Sequence, residues 1–215
     1  MEEKLIELLI NESFKKMEEG SRLLLEGLSE VTGAIDYEDN YKIIPSFSLE
    51  DPNFKKTPYR IAKSYVEMCM GLAQIEEVQD ILATNFPSDY SGMIIIDSID
   101  CYSMCPHHFL PVSYRVDFAY IPSNKMLGLS KIPRFIKLLA KRPVLQEDFT
   151  KDIITSFIKY VQPEGAICVV NGVHNCMVCR GVGATNSSAT TSEVYGSFEK
   201  LETRTEFLEL VKKNK

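Results

Sequence analysis

Residues 93–122 read MIIIDSIDCYSMCPHHFLPVSYRVDFAYIP. The isoleucine-rich run Met93–Tyr102 and the partly alternating run Val112–Ile121 predict two strands, and Pro122 ends the second. Together they make a hairpin whose connection carries Cys105-Pro106-His107-His108. Downstream, Leu129–Lys141 reads as a helix with Ile132, Phe135, Ile136, Leu139 and Ala140 on one side. A further helix covers about 148–161, Ala166–Val173 is a short apolar strand, a second strand is expected near 177–184, and a last helix covers about 203–213. Upstream, Thr57-Pro58 opens a helix, Thr as N-cap and Pro in first position, which should stop near Gly71. Residues 31–56 read mostly as loop, and residues 2–30 as a helix with Leu5, Leu8, Leu9, Phe14 and Met17 near helical spacing. The sum is an α+β chain with an antiparallel sheet, divided into a helical extension and loop (1–50) and a main domain (51–215).

An apolar fraction of 45% is ample for a packed core, and no apolar run approaches the length of a bilayer span. The acidic start, Met1-Glu2-Glu3-Lys4, is unlike a secretory signal, so a cytoplasmic protein is expected. A formal charge of −6 argues against nucleic-acid binding on a broad basic surface; a polyanion would need a local cluster of Lys and Arg.

All three histidines stand beside cysteines, in Cys105-Pro106-His107-His108 and in His174-Asn175-Cys176-Met177-Val178-Cys179. Thiolate and imidazole together suit a borderline-soft metal such as Zn²⁺. Cys105 and His108 can reach one metal from a single turn of chain, and Cys176 is the natural third ligand. Three protein ligands leave a fourth position for water, whose pKa the metal lowers towards ~7. Two other arrangements fit the spacing: a closed four-thiolate site from Cys101, Cys105, Cys176 and Cys179, or a redox pair at Cys176 and Cys179. Cys69 and Cys168, in apolar surroundings, read as buried small hydrophobes.

These residues resemble the GTP cyclohydrolase I family. The likeness runs through Thr57-Pro58-Tyr59-Arg60-Ile61-Ala62-Lys63, Cys105 with the paired His107-His108, Tyr120-Ile121-Pro122, Gly128-Leu129-Ser130-Lys131-Ile132-Pro133-Arg134, Gln146-Glu147, His174-Asn175-Cys176, Arg180-Gly181, Thr190-Thr191-Ser192 and Thr203-Arg204. It covers roughly residues 50–212. It implies a T-fold, an antiparallel sheet with helices on one face, assembled as a toroidal homodecamer with active sites between subunits. The implied reaction is GTP plus water to 7,8-dihydroneopterin triphosphate and formate, by zinc-hydroxide attack at guanine C8, the first step of pterin and tetrahydrofolate biosynthesis.

The resemblance also implies roles. Cys105, His108 and Cys176 hold the zinc; His174 protonates N7; His107 serves a later proton transfer; Ser130 assists the sugar rearrangement unless it is only a helix cap. Glu147, with Gln146 beside it, reads the guanine, whose N1 and N2 donors a carboxylate can accept together. Lys131, Arg134 and Arg180 bind the triphosphate, with Arg60 and Lys63 reaching in from a neighbouring subunit. No P-loop is present, and Gly181-Val182-Gly183 reads as a turn. Four positions depart from the family pattern: Pro106 for Glu, Tyr114 for Gly, Asp148 for Arg and Asn171 for an acid. None removes a ligand or proton donor, but Pro106 and Asn171 change the surroundings of the site. Two rivals therefore stand beside the main reading: a paralogue stopping at the formylated ring-opened intermediate or using another purine nucleotide, and a non-catalytic zinc-stabilised module.

Overall fold

The protein was analysed as a computed structural model that describes residues 11–36, 42–71 and 75–213. The chain divides into two compact units, Met1–Glu67 and Met68–Lys215. In the first, helix α1 (Glu12–Val31) begins where the Asn11 side chain accepts a hydrogen bond of 2.9 Å from the Phe14 N–H. The expected start of this helix, with Leu5, Leu8 and Leu9, lies outside the described residues. The segment expected as loop contains two short paired strands, β1 (Ala34–Asp36) and β2 (Lys42–Ile44). Helix α2 (Thr57–Cys69) starts at the Thr-Pro signal, and Tyr59 on its first turn meets Phe14 edge-on at 5.5 Å.

In the second unit the predicted hairpin forms from β4 (Ile94–Met104) and β5 (Pro111–Ile121). The pairing slips between Ile96 and Ile99, where Ser98 takes φ 53° and its N–H donates to Asp117 Oδ1 at 2.9 Å. That is a β-bulge held by one buried carboxylate. Strands β7 (Gly165–His174) and β8 (Ala189–Gly196) complete an antiparallel sheet of order β4-β5-β7-β8. A separate two-stranded pair joins β3 (Asn85–Pro87) to β6 (Lys125–Leu127).

The strand expected near 177–184 does not exist. A one-turn helix, α6 (Asn175–Val178), and turns occupy that stretch, and the fourth strand begins at Ala189. Gly181 and Gly183 both adopt positive φ, 60° and 61°, which interrupts any strand there, while the Thr- and Val-bearing run after Ser188 suits one.

Alternation along β5 puts Val112, Tyr114, Val116, Phe118 and Tyr120 on one face. Helices α3 (Ile75–Ala83), α4 (Lys131–Ala140) and α5 (Gln146–Val161) cover it. Phe157 of α5 is the hub, edge-on to Phe118 at 4.9 Å and to Tyr120 at 5.0 Å. The expectation of helices on one face fails for the last helix. α7 (Leu201–Lys213) packs Phe207 and Val211, with Phe198, against Ala119 and Ile167 on the opposite face. Those two residues alternate with Phe118 and Cys168, so both faces of β5 and β7 carry apolar side chains. No helix among the described residues is long and apolar enough to cross a membrane.

Candidate metal centre and active site

The β4–β5 connection is tight. The Cys105 N–H donates to the Leu110 carbonyl and the Phe109 N–H to the Cys105 carbonyl, each at 2.9 Å, with Phe109 at φ 51°. This closed turn buries Cys105 and leaves His107 and His108 exposed. Cys105 Sγ lies 3.8 Å from His108 Nδ1. The third member comes from α6, which follows β7 without a break; Asn175 Nδ2 donates to the Pro111 carbonyl at 2.9 Å and ties this turn to the start of β5. Cys105, His108 and Cys176 thereby bring their ligand atoms within 4.8 Å of one another. A tetrahedral shell with bonds of ~2.0–2.3 Å spaces its ligand atoms at about 3.3–3.8 Å, so these three fit one metal ion after small adjustments. Burial, together with the neighbouring Cys105, raises the Cys176 thiol. Two adjacent thiols resist joint ionisation, and a cation between them reverses that penalty.

The four-thiolate arrangement does not form. Cys179 is exposed and its thiol donates to the Asn175 carbonyl at 2.9 Å, while Cys101 is buried in the core, its thiol pushed up to about 12 by that burial. Cys168 is a buried apolar residue as expected; Cys69 is only half-buried.

His174, the last residue of β7, places Nε2 2.8 Å from Gln146 Oε1. Gln146 is 3% exposed, and its Nε2 donates to the Val170 carbonyl (3.1 Å), the Ala189 carbonyl (3.0 Å) and Thr191 Oγ1 (3.2 Å). Two carbonyls fix the amide orientation, since the reverse would set oxygen against oxygen. Gln146 Oε1 is therefore an acceptor, His174 Nε2 carries hydrogen, and Nδ1 is the nitrogen left for chemistry. Gln146, expected as a substrate ligand, has its amide committed inside the protein. Burial lowers the His174 pKa, and the Glu147 carboxylate pulls in the other direction.

Glu147 is exposed in the first turn of α5. Arg180, also exposed, lies close enough to Cys176 to act on its thiol. Lys131 and Arg134 share a face at the start of α4. Among the described residues, neither of these nor Arg180 has an ion pair. Ser130 stands at the N-cap position of α4 but makes no capping bond through its side chain. Arg60 and Lys63 belong to the first unit, on α2, where Lys63 lies 3.8 Å from Glu67. Asn171 donates to Ser188 Oγ and Thr190 Oγ1, each at 3.1 Å, so it ties β7 to β8.

The sequence profile of the GTP cyclohydrolase I family matches residues 46–212. The chain belongs to this family. It is 38% identical over 181 residues to the GTP cyclohydrolase 1 of Drosophila melanogaster, a match covering 82% of this chain and 55% of that protein. With the GTP cyclohydrolase 1 of Campylobacter curvus it shares 38% over 181 residues, covering 81% of this chain and 94% of that one. The chain thus spans about half the length of its Drosophila and Neurospora crassa relatives and nearly all of the Campylobacter one. Among solved structures, the archaeosine synthase QueF-Like in the apo form aligns at TM-score 0.38 and 16% identity, over 49% of this chain and 94% of that one.

Gly172, one member of a close pair at this site, lies outside every motif of the sequence. Tyr114 faces Gly172 across the β5–β7 pairing. A Cβ at Gly172 would sit 2.3 Å from Gln146 Oε1 and 2.9–3.0 Å from two Tyr114 ring carbons. The glycine therefore makes room for both the aromatic ring and the amide that orients His174. Gly172→Ala is expected to cost ~1–3 kcal/mol in urea denaturation. In a Tyr114→Ala background it should cost measurably less, because one of the two colliding groups is gone.

Proposed function

We propose that the chain is a zinc-dependent GTP cyclohydrolase I, converting GTP and water to 7,8-dihydroneopterin triphosphate and formate in the cytoplasm. The observation that carries this is the convergence of Cys105, His108 and Cys176 at the sheet end that also presents His174. Two sulfurs and an imidazole nitrogen suit zinc, and the three residues leave a position open. Zinc held there supplies the Lewis acidity that makes water a competent nucleophile at neutral pH. His174, held through Nε2 on Gln146, offers its proton from Nδ1 to guanine N7. His107, exposed on the same turn and outside the ligand set, serves a later proton transfer. The Ser130 hydroxyl, free of a capping bond, is available to the sugar. Glu147 accepts from the guanine N1 and N2 donors. Lys131, Arg134 and Arg180 take the triphosphate, with Arg60 and Lys63 contributed by a neighbouring copy.

That last assignment requires an oligomer, and we read the second unit as a T-fold subunit of a toroidal homodecamer. Among the described residues, strands β4 and β8 are the edges of its sheet, the places where a strand of another copy would add. The family domain is taken as residues 51–215, with 1–50 as an extension.

Incubating zinc-loaded protein with GTP tests the activity, with formate and the fluorescence of the oxidised pterin as readouts. Both products are expected in equal amounts. Formate without pterin would assign an enzyme that stops at ring opening. Neither product from zinc-loaded protein would overturn the catalytic reading.

A further inference from the structure

The three residues of the cluster come from two separate stretches of chain. Cys105 and His108 ride on the β4–β5 turn, whereas Cys176 rides on α6, which leaves the sheet at the end of β7. The β5–β7 register ends at Val112–His174, so the next residues that would face each other are Pro111 and Asn175. There the backbone turns into helix and the Asn175 side chain takes over the connection, Nδ2 donating to the Pro111 carbonyl at 2.9 Å. The carbonyl just before it, that of Leu110, accepts the Cys105 N–H at 2.9 Å. Two successive peptide carbonyls thus serve both halves of the cluster, one through the Cys105 backbone and one through the residue next to Cys176.

Three further bonds of the α6 turn look inward. The Cys179 N–H (3.0 Å) and thiol (2.9 Å) donate to the Asn175 carbonyl, and the Ala184 N–H donates to the Met177 carbonyl at 2.8 Å. These three lie within residues 175–184 and fix the shape of the turn, not its distance from the hairpin. Asparagine is a poor residue for a helix because its amide competes for backbone partners, and here the partner it finds is on another strand. The ligand atoms stand within 4.8 Å of one another, against about 3.3–3.8 Å in a tetrahedral shell. A small drift of α6 away from the hairpin turn would therefore take Cys176 out of reach.

We propose that Asn175 is a positioning residue of the metal centre, its side chain holding Cys176 within reach of a metal bound by Cys105 and His108. The inference rests on those three residues being the ligands. Asn175 itself touches neither metal nor substrate in this role. Because its bond runs from a side chain to a backbone carbonyl, it can be cut without altering any ligand. The three inward bonds, which end on backbone carbonyls, outlast that substitution.

Asn175→Ala in the full-length chain cuts the connection, and Asn175→Leu cuts it while keeping the bulk of the side chain. Zinc affinity is read by competition with a chromophoric chelator, and the thiolate-to-metal charge-transfer band is read after cobalt(II) substitution. Both variants are expected to bind zinc about ten-fold more weakly than the parent, with a weaker cobalt band as the Cys176 sulfur loses its place. Zinc affinity within two-fold of the parent and an unmoved band would overturn the proposal, whatever happens to the metal-free urea midpoint. Weaker zinc binding with the cobalt band intact would overturn it too, by placing the loss elsewhere in the fold. Parent protein that binds no zinc at all would instead remove the ligand set, and the role of Asn175 with it.

Discussion

Replacing Cys176 with alanine is expected to strip zinc from the purified chain and to lower GTP turnover by about three orders of magnitude or more, as loss of the main electrophilic group in an active site does. The reasoning is local. Cys105 and His108 come from one tight turn and offer two donors; Cys176 brings the third member of the proposed ligand set from the other strand end. Removing it leaves two ligands, too few for a retained catalytic zinc. Cys179→Ala is the matched control. It lies three residues on, is exposed, and donates its thiol hydrogen to the Asn175 carbonyl. Its loss should leave zinc content and turnover within about two-fold, the range expected of an exposed substitution outside the site. Zinc retained by Cys176→Ala but lost from Cys179→Ala or Cys101→Ala would replace the present ligand set.

His174→Gln should lower kcat by about 10²–10⁴-fold, the usual worth of a positioned general acid. Zinc content should be unchanged and KM only slightly altered. Glutamine can carry its amide nitrogen to the place of Nε2 and still donate to Gln146 Oε1, so the amide network through Val170, Ala189 and Thr191 survives while the transferable proton is lost. A kcat within a few-fold of the parent would take proton transfer away from this residue. The burial that lowers the His174 pKa also makes it a stronger acid once protonated, which suits delivery of a proton to a weakly basic ring nitrogen.

The gathering of Cys105, His108 and Cys176 was legible because they are rare residue types. Three histidines, all beside cysteines, left few ways to assemble a site, and the hairpin bearing two of the ligands has strong β patterning on both arms. What the sequence hid was tertiary. Gln146 and Glu147 are adjacent and both polar, and nothing local says that one turns into the core while the other stays exposed; the helical rotation at the start of α5 decides it. Gly172 lies within a predicted apolar strand, and only the tertiary fold sets Tyr114 and the Gln146 amide above it. The stretch 177–184 departs from the expected strand because the helical turn that holds Met177 and Val178 is tied by Asn175 to Pro111 on another strand. The sequence predicts helix α7 but not its side of the sheet, since Ala119 and Ile167 lie inside the runs Val112–Ile121 and Ala166–Val173, whose two faces are both apolar.

The third member of the cluster sits where β7 ends, and β7 reaches that place through a register with β5 that runs from Ile121–Gly165 to Val112–His174. The first two members need nothing more than their own hairpin turn. With zinc on the proposed ligand set, a partly folded molecule offers two donors and a weak grip, and the third donor arrives only once the distant strand has docked. An ion that binds the finished sheet and not its precursors would favour the completed state by mass action, and its occupancy would report on completed folding. On that reading, a molecule that fails to seat β7 is also one that lacks its third donor.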